Sequence, residues 1–217
     1  MRLSLLSLTR FPKTMTHPHP EPDTTARRLQ CAKEARCWLE EMPYFLDSET
    51  TGTGDYDEIC EIAVLGPQGT HMLTELVQPS RPIPASATDV HGISDEDVSD
   101  APSFEALEPE LMELLQVDAP TVIYNADFDA RLIRQSASHE WLLEWPPTSH
   151  DVRCAMRLMA RWHGDWSWRH RSYSWISQER AAHELGLDLD SIETDLHRAR
   201  ADAELCRRIV HEIAAYC

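Results

Sequence analysis

The stretch that decides the fold is Phe45-Leu-Asp47-Ser-Glu49-Thr-Thr-Gly52. Because alternate side chains of a β-strand point to the same face, Asp47 and Glu49 are expected side by side at a strand end. Two adjacent carboxylates repel each other unless a cation lies between them. The pair alone is equally typical of an exposed edge strand with two solvated acids. The Thr-Thr-Gly turn favours a binding site, since it offers hydroxyls and backbone N–H groups where a ligand can approach closely.

Two further acidic motifs follow along the chain. Tyr124-Asn-Ala-Asp-Phe128-Asp129 occupies a predicted junction between a strand and a helix. Asp127 is the natural N-cap there, and Asp129 would lie in the first turn, where the helix dipole favours a negative charge whatever its function. His197-Arg-Ala-Arg-Ala-Asp202 opens the last predicted helix. By itself, this motif is also typical of a solvated helix face.

Together the three motifs predict a metal site. Carboxylates from separate elements, without a cluster of His or Cys, form the hard oxygen environment that Mg²⁺ or Mn²⁺ prefers. Two such ions about 4 Å apart can activate a water and stabilise the leaving oxygen of a phosphodiester. A nearby histidine is suited to take the proton from that water at neutral pH.

The ordered set of motifs resembles the DEDDh family of 3′→5′ exonucleases, which includes the proofreading epsilon subunit of the bacterial replicative polymerase and exonuclease-X-like enzymes. The motifs are Asp47-x-Glu49-Thr-Thr-Gly, Val90-His-Gly-Ile-Ser94, Asn125-x-x-Phe-Asp129, and His197 followed by Asp202. The resemblance begins at residue 44, so the first 43 residues lie outside it. One departure is Ser48, where Thr is commoner in the family; we expect Ser48 to point away from the metals.

The resemblance implies an RNase H-like fold in which four carboxylates hold two Mg²⁺ or Mn²⁺ ions: Asp47, Glu49, Asp129 and Asp202. Asp47 would bridge both ions, Glu49 and Asp202 would complete the more tightly held one, and Asp129 would act on the second. His197 would be the general base, and histidine at this position implies the DEDDh branch rather than its tyrosine counterpart. The resemblance also implies a set of residues that contact the terminal nucleotide: Thr50, Thr51 and Gly52, then His91, Asn125 and Phe128.

Hydrophobic patterns predict an α/β fold with a mixed sheet. The resemblance implies that this sheet has five strands and is flanked by helices. Strands expected near residues 44–48, 59–65 and 71–77 form a three-stranded antiparallel meander, and a strand at 120–124 begins parallel β-α units. Polar loops are expected at 164–173 and 186–196. The predicted helices occupy residues 103–116, 127–139, 152–162, 174–185 and 197–216.

The N-terminal region divides into two parts. Residues 1–23 are rich in Pro, His and Thr, which predicts a flexible leader. Residues 24–43 predict an extra amphipathic helix that ends at Pro43, with Arg27 on its polar face. We expect this helix to pack on the exonuclease domain formed by residues 44–217.

Residues 152–180 contain six arginines against two acids. Three arginines recur at four-residue steps, so a continuous helix would align them in one basic stripe: Arg153, Arg157 and Arg161. Four tryptophans follow within residues 162–175. Arginines and aromatic faces together suit a single nucleic acid strand. Alternatively, some tryptophans belong to the core and the arginines pair with acids. We expect the 164–173 loop to border the active site and to guide the 3′ strand through Arg169 and Arg171.

The 217 residues carry a formal net charge of −17. This charge argues against a protein that coats nucleic acid by bulk attraction, but it is compatible with an enzyme that gathers carboxylates around metals.

The six cysteines have no regular spacing and indicate reduced thiols in a cytoplasmic protein. The apolar run at the N-terminus is too short for a signal peptide, and no stretch is long enough for a bilayer span, so no membrane partner is expected.

The sequence therefore predicts a metal-dependent 3′→5′ exonuclease that acts on DNA single strands or frayed ends and releases nucleoside 5′-monophosphates. An exoribonuclease is the first alternative, since nothing at the metal site senses a 2′-hydroxyl. A non-catalytic nucleic-acid-binding adaptor is disfavoured, because idle clustered acids would only repel one another. A polymerase or DNA-end-processing partner, with a role in replication, proofreading or repair, is expected by family analogy alone.

Overall fold

A computed structural model describes residues 23–148, 150–191 and 197–217. The expected flexible leader lies outside these residues except for Asp23, whose carboxylate accepts from the Thr25 N–H at 3.2 Å and caps the first helix. Within the described ranges, no helix combines the length and the hydrophobicity needed to cross a membrane.

A five-stranded mixed sheet forms the centre of the fold, in the order β3-β2-β1-β4-β5. The first three strands pair antiparallel, whereas β4 is parallel to both β1 and β5. The predicted meander followed by parallel units is therefore confirmed. The strands are β1 (Tyr44–Thr50), β2 (Ile59–Leu65), β3 (His71–Leu76), β4 (Thr121–Ile123) and β5 (Val152–Cys154).

Helices cover both faces of this sheet. They are α1 (Thr24–Glu40), α2 (Ala85–His91), α3 (Phe104–Leu115), α4 (Ala126–Ser136), α5 (Glu140–Leu143), α6 (Ala155–His163), α7 (Gln178–Leu185) and α8 (Ala199–Ala215). A small hairpin of β6 (Trp166–Ser167) and β7 (Ser172–Tyr173) follows α6.

Alternation along β1 divides the core into two layers. Phe45 packs in the layer that contains side chains of α1, α6 and α8, whereas Leu46 packs in the layer that contains side chains of α3 and α4. Because side chains alternate, Asp47 and Glu49 share the face of Phe45, and Ser48 shares the face of Leu46. This alternation decides which helix supplies the partner of each polar residue.

The N-terminal helix α1 packs on the domain as expected, against α6 and α8. Cys31 and Ala35 are buried in this contact. The assignment of Arg27 to a polar face was wrong, because Arg27 is 7% exposed and its Nε donates to the Arg161 carbonyl at 2.7 Å. Gly164 leaves room for this guanidinium, since an added Cβ there would lie 1.9 Å from it.

The predicted helix at 152–162 begins late. Residues 152–154 form β5, and Arg153 lies opposite Val122 in a parallel pair. The helix α6 starts only at Ala155, so the expected stripe of three arginines is interrupted.

Other boundaries also differ from the predictions. Asn125, not Asp127, is the N-cap of α4, because the helix begins at Ala126. The predicted helices at 127–139 and 174–185 are shorter, ending at Ser136 and starting at Gln178 respectively. The helix α2 was not predicted, and the expected 164–173 loop contains the β6–β7 hairpin.

Candidate active site

Three carboxylates converge where β1 meets the first turn of α8. One oxygen from each of Asp47, Glu49 and Asp202 lies within 4.8 Å of the others. Asp47 and Glu49 are on the face of β1 that α8 covers, and Asp202 is the fourth residue of that helix. Three oxygen donors with formal negative charges fit a hard divalent cation such as Mg²⁺ or Mn²⁺.

Asp129 lies beside this group on the other layer. Its side chain is buried, and Ser48 Oγ donates to its Oδ1 at 2.7 Å. Ser48 does point to the face opposite Asp47 and Glu49, but it has a function that the motif alone did not indicate. It holds the carboxylate of α4 next to the strand that carries the other acids.

The acids of this site are poorly solvated and close to one another. Burial, together with repulsion from Asp129 and other acids, raises the pKa of Asp47 well above its usual range. Burial is also the main cause that raises the pKa of Glu49 to about 8, of Asp129 to about 7 and of Asp202 to about 6. With raised pKa values, these carboxyl groups keep their protons to a higher pH than usual. A bound cation would lower the pKa values again.

His197 lies immediately before the N-cap of α8. Its backbone has φ +63°, which is uncommon for a residue with a side chain and shows that neighbouring contacts hold it. Its imidazole is 47% exposed, and Nε2 lies 3.3 Å from Glu179 Oε1. Gln178 also contacts this region, since its Nε2 donates to the Asp202 carbonyl at 2.5 Å. The start of α7 therefore borders the site.

A buried ion pair fixes the start of α8 to the sheet. Glu61 of β2 lies opposite Glu49 and is 2% exposed. Arg198 Nε donates to its two carboxylate oxygens at 3.1 and 3.0 Å, and Arg198 Nη2 donates at 2.5 Å. The Ala199 N–H adds a fourth bond at 2.9 Å. Sequence reasoning missed this pair, whose one signal is an acid within the otherwise apolar run of β2.

The turn after β1 has a shape fixed by its own side chains. Thr50 Oγ1 donates to the Gly52 carbonyl at 2.8 Å, and Thr51 Oγ1 donates to Asp57 Oδ1 at 3.0 Å. Arg131 of α4 donates to two carbonyls of the same turn. The predicted nucleotide-contacting turn is therefore rigidly connected to the helix that carries the fourth acid.

The other three residues expected near the nucleotide have different environments. His91 is buried; its Nδ1 accepts from the Ile93 N–H at 3.0 Å, so Nε2 carries the proton and donates to the Thr50 carbonyl at 3.2 Å. Burial lowers the pKa of His91, which favours this neutral form. Asn125 is exposed and Phe128 is half-buried. Direct nucleotide contacts by these three residues stay predictions.

The arginines of residues 152–180 are distributed differently from the expected stripe. Arg169 and Arg171 are exposed at the turn of the β6–β7 hairpin, and their contact with a strand stays a prediction. The three arginines of the expected stripe each meet an acid, as the alternative interpretation held: Arg153 with Asp151 and Glu41, Arg157 with Asp127, and Arg161 with Glu34.

Residues 44–210 match the family RNase_T, described as Exonuclease. The chain belongs to this exonuclease family, which confirms the resemblance seen in the motifs. Among its relatives is an uncharacterized exonuclease, CP81, of Escherichia phage 186, with 38% identity over 187 residues, 84% of this chain and 93% of the relative. The PolC-type DNA polymerase III of Thermotoga maritima is 31% identical over 169 residues, which are 76% of this chain and 12% of the polymerase.

Two solved structures show the same fold. Exonuclease X in complex with 5′ overhanging duplex DNA has a TM-score of 0.56 and 23% identity, covering 79% of this chain and 90% of the other. Escherichia coli Exonuclease I in complex with a dT13 oligonucleotide has a TM-score of 0.62 and 15% identity, covering 80% and 41%. The predicted RNase H-like fold is therefore confirmed.

Proposed function

We propose that this exonuclease degrades DNA from the 3′ end in a metal-dependent reaction that releases nucleoside 5′-monophosphates. The observation that carries the proposal is the convergence of Asp47, Glu49 and Asp202 within 4.8 Å, with Asp129 beside them. Relatives named as DNA polymerase III and similar folds solved with DNA support DNA over RNA as the substrate.

In this proposal the four carboxylates would hold two Mg²⁺ or Mn²⁺ ions. Asp47, Glu49 and Asp202 would hold one ion, and Asp129 together with Asp47 the second. Divalent ions held there would supply a nucleophilic water at neutral pH and positive charge against the phosphate. The carboxyl groups would release their protons on metal binding, because a cation favours their charged forms.

His197 would accept the proton of the attacking water on a ring nitrogen. Its partly exposed imidazole contacts Glu179. During the reaction the imidazole would leave this contact and bind the attacking water instead. The turn at Thr50, Thr51 and Gly52 would hold the terminal nucleotide, aligning its phosphate with the carboxylates. A polymerase partner and a cytoplasmic location belong to the same proposal.

The test uses DNA and RNA oligonucleotides labelled at either end, incubated with Mg²⁺, Mn²⁺ or EDTA. We expect a ladder that shortens from the 3′ end of DNA with either metal and no cleavage in EDTA. Asp47→Ala should abolish cleavage. Asp118→Ala is a matched control, since this exposed acid precedes β4 at the opposite end of the sheet. Shortening from the 5′ end, or equal activity of the two variants, would contradict the proposal.

A further inference from the structure

A groove of about 1120 Å³ lies between α1, α4, α6 and the β6–β7 hairpin. Its lining includes aromatic rings and guanidinium groups from separate elements: Trp38, Trp166, Tyr173, Trp175, Arg134 and Arg157. Trp38 belongs to α1, outside the residues that match the exonuclease family. One wall of the groove is therefore an addition to the domain that carries the candidate active site.

Two elements of the chain connect the groove with that site. Asp127 of α4 lines the groove, whereas Asp129, two residues further, contacts Ser48. On the other rim, Trp175 is three residues before Gln178, which contacts the Asp202 backbone. Three residues of chain span at most about 11 Å, so both rims are continuous with elements that carry the candidate catalytic groups.

The aromatic side of the groove has a free surface. Trp175 is 67% exposed. On the same groove, Trp166 and Tyr173 form an edge-to-face pair with centroids 5.0 Å apart, which makes a rigid aromatic wall. An exposed tryptophan next to such a wall offers a flat face on which a nucleobase of any identity can stack.

The opposite side carries guanidinium groups together with three carboxylates, those of Glu34, Asp127 and Asp151. Arg134 donates to the Trp145 carbonyl at 2.7 Å, and within the described residues no carboxylate lies within 4.0 Å of its guanidinium. Arg157 pairs with Asp127, but both side chains are largely exposed, at 62% and 76%. Exposed pairs of this kind contribute little stability, so a phosphate can replace the carboxylate.

We propose that this groove binds single-stranded DNA on the 5′ side of the terminal nucleotide, with a base stacked on Trp175 and phosphates held by Arg134 and Arg157. The inference rests on the proposed function. The groove selects a single strand, because the base faces of a duplex are stacked on one another and cannot contact a tryptophan. The −17 charge of the chain limits such binding to local contacts.

The test compares Trp175→Ala with Met72→Ala on a DNA trinucleotide and a dodecanucleotide. Met72 is the control, because it is a 37% exposed apolar side chain on β3, the sheet edge opposite β5, and does not line the groove. Trp175→Ala should raise KM for the dodecanucleotide about 5- to 100-fold, with kcat and the trinucleotide kinetics near those of the wild type. Met72→Ala should behave like the wild type on both substrates.

Equal KM values for the two variants would overturn the proposal, and so would an equal loss on the trinucleotide. Binding of the dodecanucleotide in EDTA, measured by fluorescence anisotropy, separates this outcome from failure of the proposed function. A wild type that binds the strand but never shortens it would defeat the proposed reaction, whereas strand binding that Trp175→Ala leaves unchanged would defeat the groove. A labelled acidic peptide is a second probe. If this peptide binds to the groove and DNA does not displace it, the groove binds a protein partner and the proposal is overturned.

Discussion

Arg198→Met is expected to destabilise the protein by about 2–3 kcal/mol. The substitution leaves Glu61, whose side chain is 3% exposed, without its guanidinium partner. Breaking a buried pair costs about 3–5 kcal/mol and an exposed pair about 0–1 kcal/mol. Arg198 is 40% exposed, so the cost should lie between these limits. The Ala199 N–H still donates to Glu61, which keeps the loss below the upper limit.

The control is the double variant Arg198→Met with Glu61→Gln. Removing the charge from both partners avoids an unpaired buried carboxylate, so the double variant should be more stable than Arg198→Met alone by about 1–2 kcal/mol. Urea unfolding in EDTA at pH 7, followed by far-UV circular dichroism, measures both differences. The assigned role would be refuted if Arg198→Met were within about 0.5 kcal/mol of the wild type. It would also be refuted if the double variant were less stable than Arg198→Met alone.

The same variant should also affect catalysis under the proposed function. Arg198 directly follows His197, whose backbone has φ +63°. The ion pair of Arg198 with Glu61 therefore fixes the backbone that positions the imidazole. A displacement of about 1 Å at a catalytic group can lower the rate about 100-fold. Arg198→Met should therefore lower kcat more than it raises KM. A change confined to KM would show that the pair serves binding instead.

Three further predictions concern the acids and two glycines. The pKa of Glu49 is raised to about 8 from 4.5 in the folded state, so the folded protein keeps protons that the unfolded chain releases. In EDTA the melting temperature should therefore fall from pH 5 to pH 8. Mn²⁺ should raise the melting temperature more at pH 8 than at pH 6. A metal-free melting temperature that rises across this range would contradict the assignment. Ser48→Ala removes a hydrogen bond that lowers the pKa of Asp129, so kcat at pH 6.5 should fall up to about tenfold and recover partly at pH 8. Ser48→Thr should retain activity. Identical pH–rate profiles for the two variants would rule out this effect of the Ser48 hydroxyl. Gly164→Ala should lower the free energy of unfolding by about 2–4 kcal/mol and Gly186→Ala by only about 1 kcal/mol, since both have positive φ but only at Gly164 would the new methyl group meet a guanidinium; urea unfolding that gives equal losses would contradict this.

Local patterns explain which parts of the fold the sequence predicts. The meander consists of β-rich runs, two of them joined by a Gly-Pro-Gln-Gly turn, and α3 has a period of about 3.6 residues; both occur near the expected positions. The strand β5 has only three residues, and its parallel partner β4 lies 31 residues away, so its pattern cannot be distinguished from a helical turn. The helix α2 has seven residues and is equally short for a periodic signal.

The same distinction separates the parts of the candidate site. The acids follow from motifs within single segments, and the structure brings three of them into one cluster. The contacts that position them join distant segments: Ser48 with Asp129 across 81 residues, and Glu61 with Arg198 across 137 residues. A local pattern can mark one partner, as the acid within the apolar run of β2 does, but it does not identify the distant partner.

The acidic composition of the chain has two physical consequences that act in the same direction. Some acids form the partly buried cluster and need cations, whereas others neutralise arginines that would otherwise attract phosphates along a whole strand, as Glu34 does with Arg161. A long polyanion therefore meets net repulsion from most of the surface. Attraction remains where Arg134 faces the groove and where metals would neutralise the cluster, two places joined by α4. The charge distribution thus favours engagement of a strand end over binding along a duplex, in agreement with an exonuclease that needs a terminus.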